Sequence, residues 1–133
     1  MSTTATLHET LVSLGEMLGV DPARFGQGLN DLAATDHRYL RDLKMNLNGA
    51  LSYSTLSKKE SSLLALAAAV NEKHPLLIEA FAAMAEKEGA TAAEVAETKA
   101  CVSLLNTNNI FYRFRHFTSK DFYKNTPAGM RMT

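Results

Sequence analysis

Apolar positions recur at helical spacing along most of this chain and are interrupted by short polar turns. Leu7, Leu11, Leu14 and Leu18 form the first stripe, and Gly19 is placed to close it as a C-cap. Asp21-Pro22 is an N-cap followed by proline at the first helical position, so a short helix is expected to run to about Ala34. Gly26 and Gly28 lie inside it and oppose it. Asp36 is expected to cap the next helix, with Leu40, Leu43 and Leu47 on its buried face. Ser57-Lys58-Lys59-Glu60 is a capping box, in which each end residue satisfies the other's exposed backbone N–H. The run from Leu63 to Val70 is apolar on every side, which places it at the centre of the core or at a contact between copies. His74-Pro75 ends that helix, because a residue before proline avoids the helical region. Pro75 opens another helix that runs to about Glu88 and stops at Gly89. A second capping box, Thr91-Ala92-Ala93-Glu94, starts a long helix to about Phe117. The remainder, 119–133, reads as irregular with one helical turn around Asp121 to Lys124. The pattern predicts an all-α domain of about six helices spanning residues 1–133.

Composition narrows the function classes. With 133 residues, 46% apolar and 21% charged, the chain is long enough to bury a core without metals or disulfides. Fourteen basic and fourteen acidic residues cancel, so no long-range field draws it to nucleic acid or to a membrane surface. The basic, aromatic-interleaved stretch from Phe111 to Arg131 is answered by the preceding acidic residues Glu79, Glu86, Glu88, Glu94 and Glu97. Charge complementarity within the fold or between subunits is therefore expected rather than a nucleic-acid partner. No apolar run approaches the roughly 20 residues of a membrane span. The first residues, Met1-Ser2-Thr3-Thr4, lack the order of a signal peptide, and a single cysteine fits a reducing compartment, so a cytoplasmic location is expected. The four histidines, His8, His37, His74 and His116, show no i, i+4 pair, so no metal or other cofactor is expected from local spacing. Cys101 alone cannot run a thiol–disulfide cycle within one chain.

The segment from Ser57 to about Phe117 resembles the core of the AhpD-like alkylhydroperoxidase and carboxymuconolactone decarboxylase superfamily. The matching pieces are Leu-Ser-Lys-Lys-Glu at 56–60, the small-residue helix Leu63 to Val70, Ile78-Glu79-Ala80, and the turn Glu88-Gly89-Ala90-Thr91 followed by Glu94 and Glu97. The resemblance implies the family's helical fold and a homo-oligomer, a trimer or a multiple of it. It also implies where redox chemistry would lie. The redox-active branch has a Cys-x-x-Cys pair at the positions that fall here on His74 and Leu77. Its histidine falls on Phe81. Its glutamate falls on Ser62 or within a residue of it, which makes Glu60 a displaced equivalent. Both thiols are missing, and leucine can neither attack a peroxide nor resolve a sulfenic acid.

Three functions remain open at this point. The first is a non-thiol helical oligomer that binds a small anionic ligand. Asn106, Asn109, Arg113 and His116 fall on one helix face, with Asn108, Tyr112 and Arg115 beside it and Phe111, Phe114 and Phe117 on an apolar third. Asn106, Asn109, Tyr112, Arg113 and Arg115 could hold a carboxylate or phosphate by charge-assisted bonds. The alternative for that stripe is a buried polar seam that fixes helix register, with Glu60 or Glu97 pairing Arg113. The second function is a cofactor-free enzyme of the decarboxylase type, with His74 or His116 as acid–base, Glu60 assisting, and arginines holding the carboxylate. For His74 the plainer alternative is a surface residue closing a turn. The third function is residual peroxide handling by Cys101 with an external thiol. Against it, Cys101 between Ala100 and Val102 is expected to be a small buried hydrophobe.

Overall fold

The computed structural model describes residues 8–52, 55–129 and 131. Leu7, expected at the head of the first stripe, and the first four residues lie outside the described residues. Seven α-helices follow one another among the described residues: α1 Glu9–Leu18, α2 Gln27–Ala34, α3 Arg38–Leu51, α4 Lys58–Asn71, α5 Pro75–Lys87, α6 Ala92–Thr118 and α7 Asp121–Lys124. No strand occurs among those residues, so the fold is all-α. Both capping boxes form as expected, Ser57 with Glu60 at the head of α4 and Thr91 with Glu94 at the head of α6.

The helix expected from Asp21 to Ala34 is divided. Asp21 does accept a hydrogen bond from the Ala23 N–H at 2.9 Å, but the result is a 3-10 turn over Pro22–Arg24. Gly26 then caps α2 separately. Asp36 is not the cap of α3. It occupies a left-handed conformation at φ 45, and His37 caps the helix by accepting from the Tyr39 N–H at 3.1 Å.

The helix ends share one device. Gly19, Asp36, Lys73 and Gly89 all take positive φ, and the residue after each donates back five residues, as Val20 does to Gly15 and Ala90 to Ala85. His37 and His74 each serve two helices in this way. Their backbone N–H closes the helix behind, on Leu32 and Ala69, and their ring Nδ1 opens the helix ahead. Gly15 is needed for another reason: a Cβ there would lie 2.6 Å from the Val20 carbonyl oxygen and 2.8 Å from Pro22.

The core is built from Leu11, Leu14 and Leu18 of α1, Leu40 of α3, Leu66 and Ala69 of α4, and Ala80, Phe81 and Ala85 of α5. Leu43 and Leu47, expected on the same face as Leu40, are half-buried. α4 is the central helix and packs on α3, α5 and α6. Its apolar run is covered on one side only, since Leu66 is fully buried whereas Leu64 on the opposite side is 58% exposed. α6 is 27 residues long and contributes one buried residue, Val95. At 1.5 Å per residue it is about 40 Å long, roughly twice the length of α4 or α5, so its second half extends past the helices that could cover it. α7 turns back onto it, with the Tyr123 ring 5.5 Å from that of Phe114.

Candidate functional site

His74 follows the break after α4, where Lys73 at φ 55 turns the chain and Pro75 starts α5. Its Nδ1 accepts from the Leu77 N–H at 3.4 Å, which assigns the ring proton of the neutral imidazole to Nε2. His74, Leu77 and Phe81 therefore lie along one edge of α5, facing a cavity of about 550 Å³ between α3, α4 and α5. Leu47 and Leu51 of α3 and Ala65 of α4 complete most of its wall. A second space of about 190 Å³ shares Leu47, His74, Leu77 and Phe81 with it and continues toward Leu14, Phe25 and Leu29. The lining is almost wholly apolar, and it includes neither lysine nor arginine.

One polar group in this wall has no partner. Ser61 is 6% exposed, and its hydroxyl makes no hydrogen bond among the described residues. A buried hydroxyl left in that state costs about 1–3 kcal/mol. Its neighbour Ser62 is satisfied, donating to the Lys58 carbonyl at 2.8 Å, as serines in helices often do. The position where the resemblance puts a glutamate, at Ser62 or within a residue of it, thus holds two buried serines, and Ser61 is the one that reaches the cavity.

The residues expected to act together are placed in three separate regions. Glu60 lies between α4 and α6, in a groove it shares with Glu94, Glu97 and Cys101. Its carboxylate is taken up by the capping box: Oε2 accepts from the Ser57 N–H at 2.8 Å and from the Ser57 hydroxyl at 2.7 Å. Those hydrogen bonds hold its pKa below the ordinary carboxylate range, so it stays ionised. Tyr112, Arg115 and His116 line an open pocket with Lys124 at the far end of α6. The Arg115 guanidinium there lies 5.9 Å from the Phe111 ring centre and 5.6 Å from that of Tyr112. Asn106 is half-buried and Asn109, Arg113 and His116 are exposed, so within one chain the stripe is not a buried seam. Arg113 forms no ion pair among the described residues. Glu97 lies sixteen positions earlier on the same helix, about 24 Å away along its axis, beyond the reach of a direct pair.

Cys101 is exposed, not a buried hydrophobe. Its flanking residues are apolar, but it sits at the outer margin of the α4–α6 groove, among glutamates rather than cations. Glu94 in that groove bridges the two helices. It accepts from Lys59 Nζ at 2.8 Å and from the Thr91 N–H at 2.7 Å, and these lower its carboxyl to about 2. Among the described residues no three of His, Cys, Asp and Glu gather as metal ligands, and no helix is long and apolar enough to cross a membrane.

A helical bundle with a cavity at the head of the helix that follows its small-residue helix defines the class of this protein. Comparison with known proteins names the family. The chain is 36% identical over 104 residues to an alkyl hydroperoxide reductase AhpD of Solibacter usitatus, covering 78% of this chain and 58% of that protein. It is 37% identical over 97 residues to the AhpD of Coxiella burnetii, covering 71% and 54%, and 32% identical over 94 residues to that of a Bradyrhizobium species, covering 71% and 51%. The chain belongs to the AhpD-like family. It spans about half the length of the relatives it matches. No family model matches it, and no solved structure does.

Proposed function

We propose that this chain is a non-thiol AhpD-like protein that binds a small molecule in the cavity between α3, α4 and α5, and that it works as a homo-oligomer. The observation that carries the reading is the cavity itself. The two positions that correspond to the family's cysteine pair, His74 and Leu77, are on its wall, and the chain has no thiol there. What remains is a concave apolar space with few polar groups, the usual character of a ligand site. Alkyl hydroperoxide reduction, the activity in the relatives' names, needs an attacking and a resolving thiol. The lone exposed Cys101 lies in a different groove. His74 and the arginines of α6 do not share a cavity within one chain, so a decarboxylase site built on His74 is not assembled there; His116 does share the open pocket at the end of α6 with Arg115. Of the two arginines expected to hold an anion, Arg115 lines the pocket at the end of α6 and Arg113 does not, and the cavity's ligand is not read from them.

Titration with N-phenyl-1-naphthylamine, an uncharged apolar fluorophore, tests the pocket. Saturable enhancement with one site per chain is expected, and Ala65→Trp, which fills the cavity, should abolish it while helical circular dichroism is retained. A folded Ala65→Trp variant that binds the probe as the wild type does would refute the site.

A further inference from the structure

We infer that the cavity selects an uncharged molecule with an apolar body and a single hydrogen-bonding oxygen, and that the Ser61 hydroxyl is its anchor. The inference rests on the cavity being the binding site proposed above. Ser61 is more than nine-tenths buried, lines the cavity, and has no hydrogen-bond partner among the described residues. A hydroxyl is both donor and acceptor, so a single ligand oxygen, whether carbonyl or alcohol, can satisfy it. Leu47, Leu51, Ala65, Leu77 and Phe81 offer the rest of such a molecule only dispersion contacts and release from water. A second space continues past His74, Leu77 and Phe81, which gives room for an extended apolar body.

Charge decides against ionic ligands. A carboxylate would enter a wall without lysine or arginine and would meet Glu72, the one acid in the lining. A charge taken out of water without a partner is strongly disfavoured. An ammonium would find only Glu72, which is exposed and already accepts a hydrogen bond from Asn71 at 3.0 Å. Nε2 of His74 remains available at the rim, since Nδ1 is taken by the helix cap.

The test is displacement of N-phenyl-1-naphthylamine by 1-octanol, octanoate and octylamine, on the wild type and on Ser61→Ala. The alcohol is expected to displace the probe at about tenfold lower concentration than either ion. Ser61→Ala should weaken 1-octanol by about threefold to tenfold, the net worth of one hydrogen bond, with each displacement curve corrected for that protein's own probe affinity. Retained helical circular dichroism shows that the variant is folded. If Ser61→Ala binds 1-octanol as tightly as the wild type, or if either ion competes as well as the alcohol, the inference is overturned while the pocket stands. If the probe shows no saturable site sensitive to Ala65→Trp, the pocket reading fails and this inference fails with it.

Discussion

Ser61 sits in the first turn of α4 with its hydroxyl buried and unbonded, and that arrangement has a measurable consequence for the unliganded protein. Alanine is the better helix former and has no polar group to leave unsatisfied. Ser61→Ala should therefore stabilise the apo protein by about 1 kcal/mol in urea unfolding, whereas most buried substitutions destabilise. A loss of stability would mean that the hydroxyl has a partner in solution. Little in the sequence marks this residue, because serine in a first helical turn is ordinary. The family resemblance puts a glutamate at Ser62 or within a residue of it, and Glu60 is the nearest residue with that chemistry. Glu60 proves to be occupied by Ser57, as its capping box requires. The same resemblance puts the family's first cysteine position on His74, which lines the cavity, whereas the cap its ring makes on the Leu77 N–H was not expected from its place before Pro75.

At the scale of elements, the helix starts that rest on strong local chemistry were readable: Ser57 with Glu60, Thr91 with Glu94, and the glycine stops at Gly19 and Gly89. The start of α3 was misread because aspartate is the commoner N-cap, yet here Asp36 is needed one residue earlier for the left-handed turn and binds Arg41 at 2.6 Å. The head of α6 gives a pH prediction. Glu94 joins the capping box to Lys59 of α4, and these bonds lower its carboxyl from the ordinary 4.5 to about 2. A depressed folded-state value means the unfolded chain binds the proton more readily. The contribution of Glu94 is therefore present above pH 4.5 and lost as the pH falls from there toward 2. The melting temperature should drop across that window, and Lys59→Met should reduce the size of the drop. An equal drop in Lys59→Met would show that the bridge between α4 and α6 does not stabilise the fold.

For the whole molecule, the length of α6 is the fact that most needs an explanation. Half of it extends past α4 and α5 and meets only the single turn of α7, and its outer face carries Ile110 at 72% exposure and Phe117 at 77%, with Phe122 of α7 at 81% beside it. Aromatic and aliphatic surface left in the open on this scale is a common sign of an interface. A homo-oligomer would cover it, and light scattering at micromolar concentration is expected to give a mass that is a multiple of 14.5 kDa. A mass of one chain would remove that part of the account. The sequence could not show this mismatch, because periodicity reports which face of a helix is apolar and not whether a neighbour reaches it. Cys101 was misplaced for the same reason: apolar neighbours in sequence do not guarantee cover in space. The claim at the centre, that this AhpD-like chain does not use a thiol, is tested most directly by hydroperoxide turnover with a dithiol donor on the full chain and on Cys101→Ala. Turnover in the wild type should be no greater than in Cys101→Ala. Robust turnover that disappears in Cys101→Ala would contradict the account and make the exposed cysteine the reacting group.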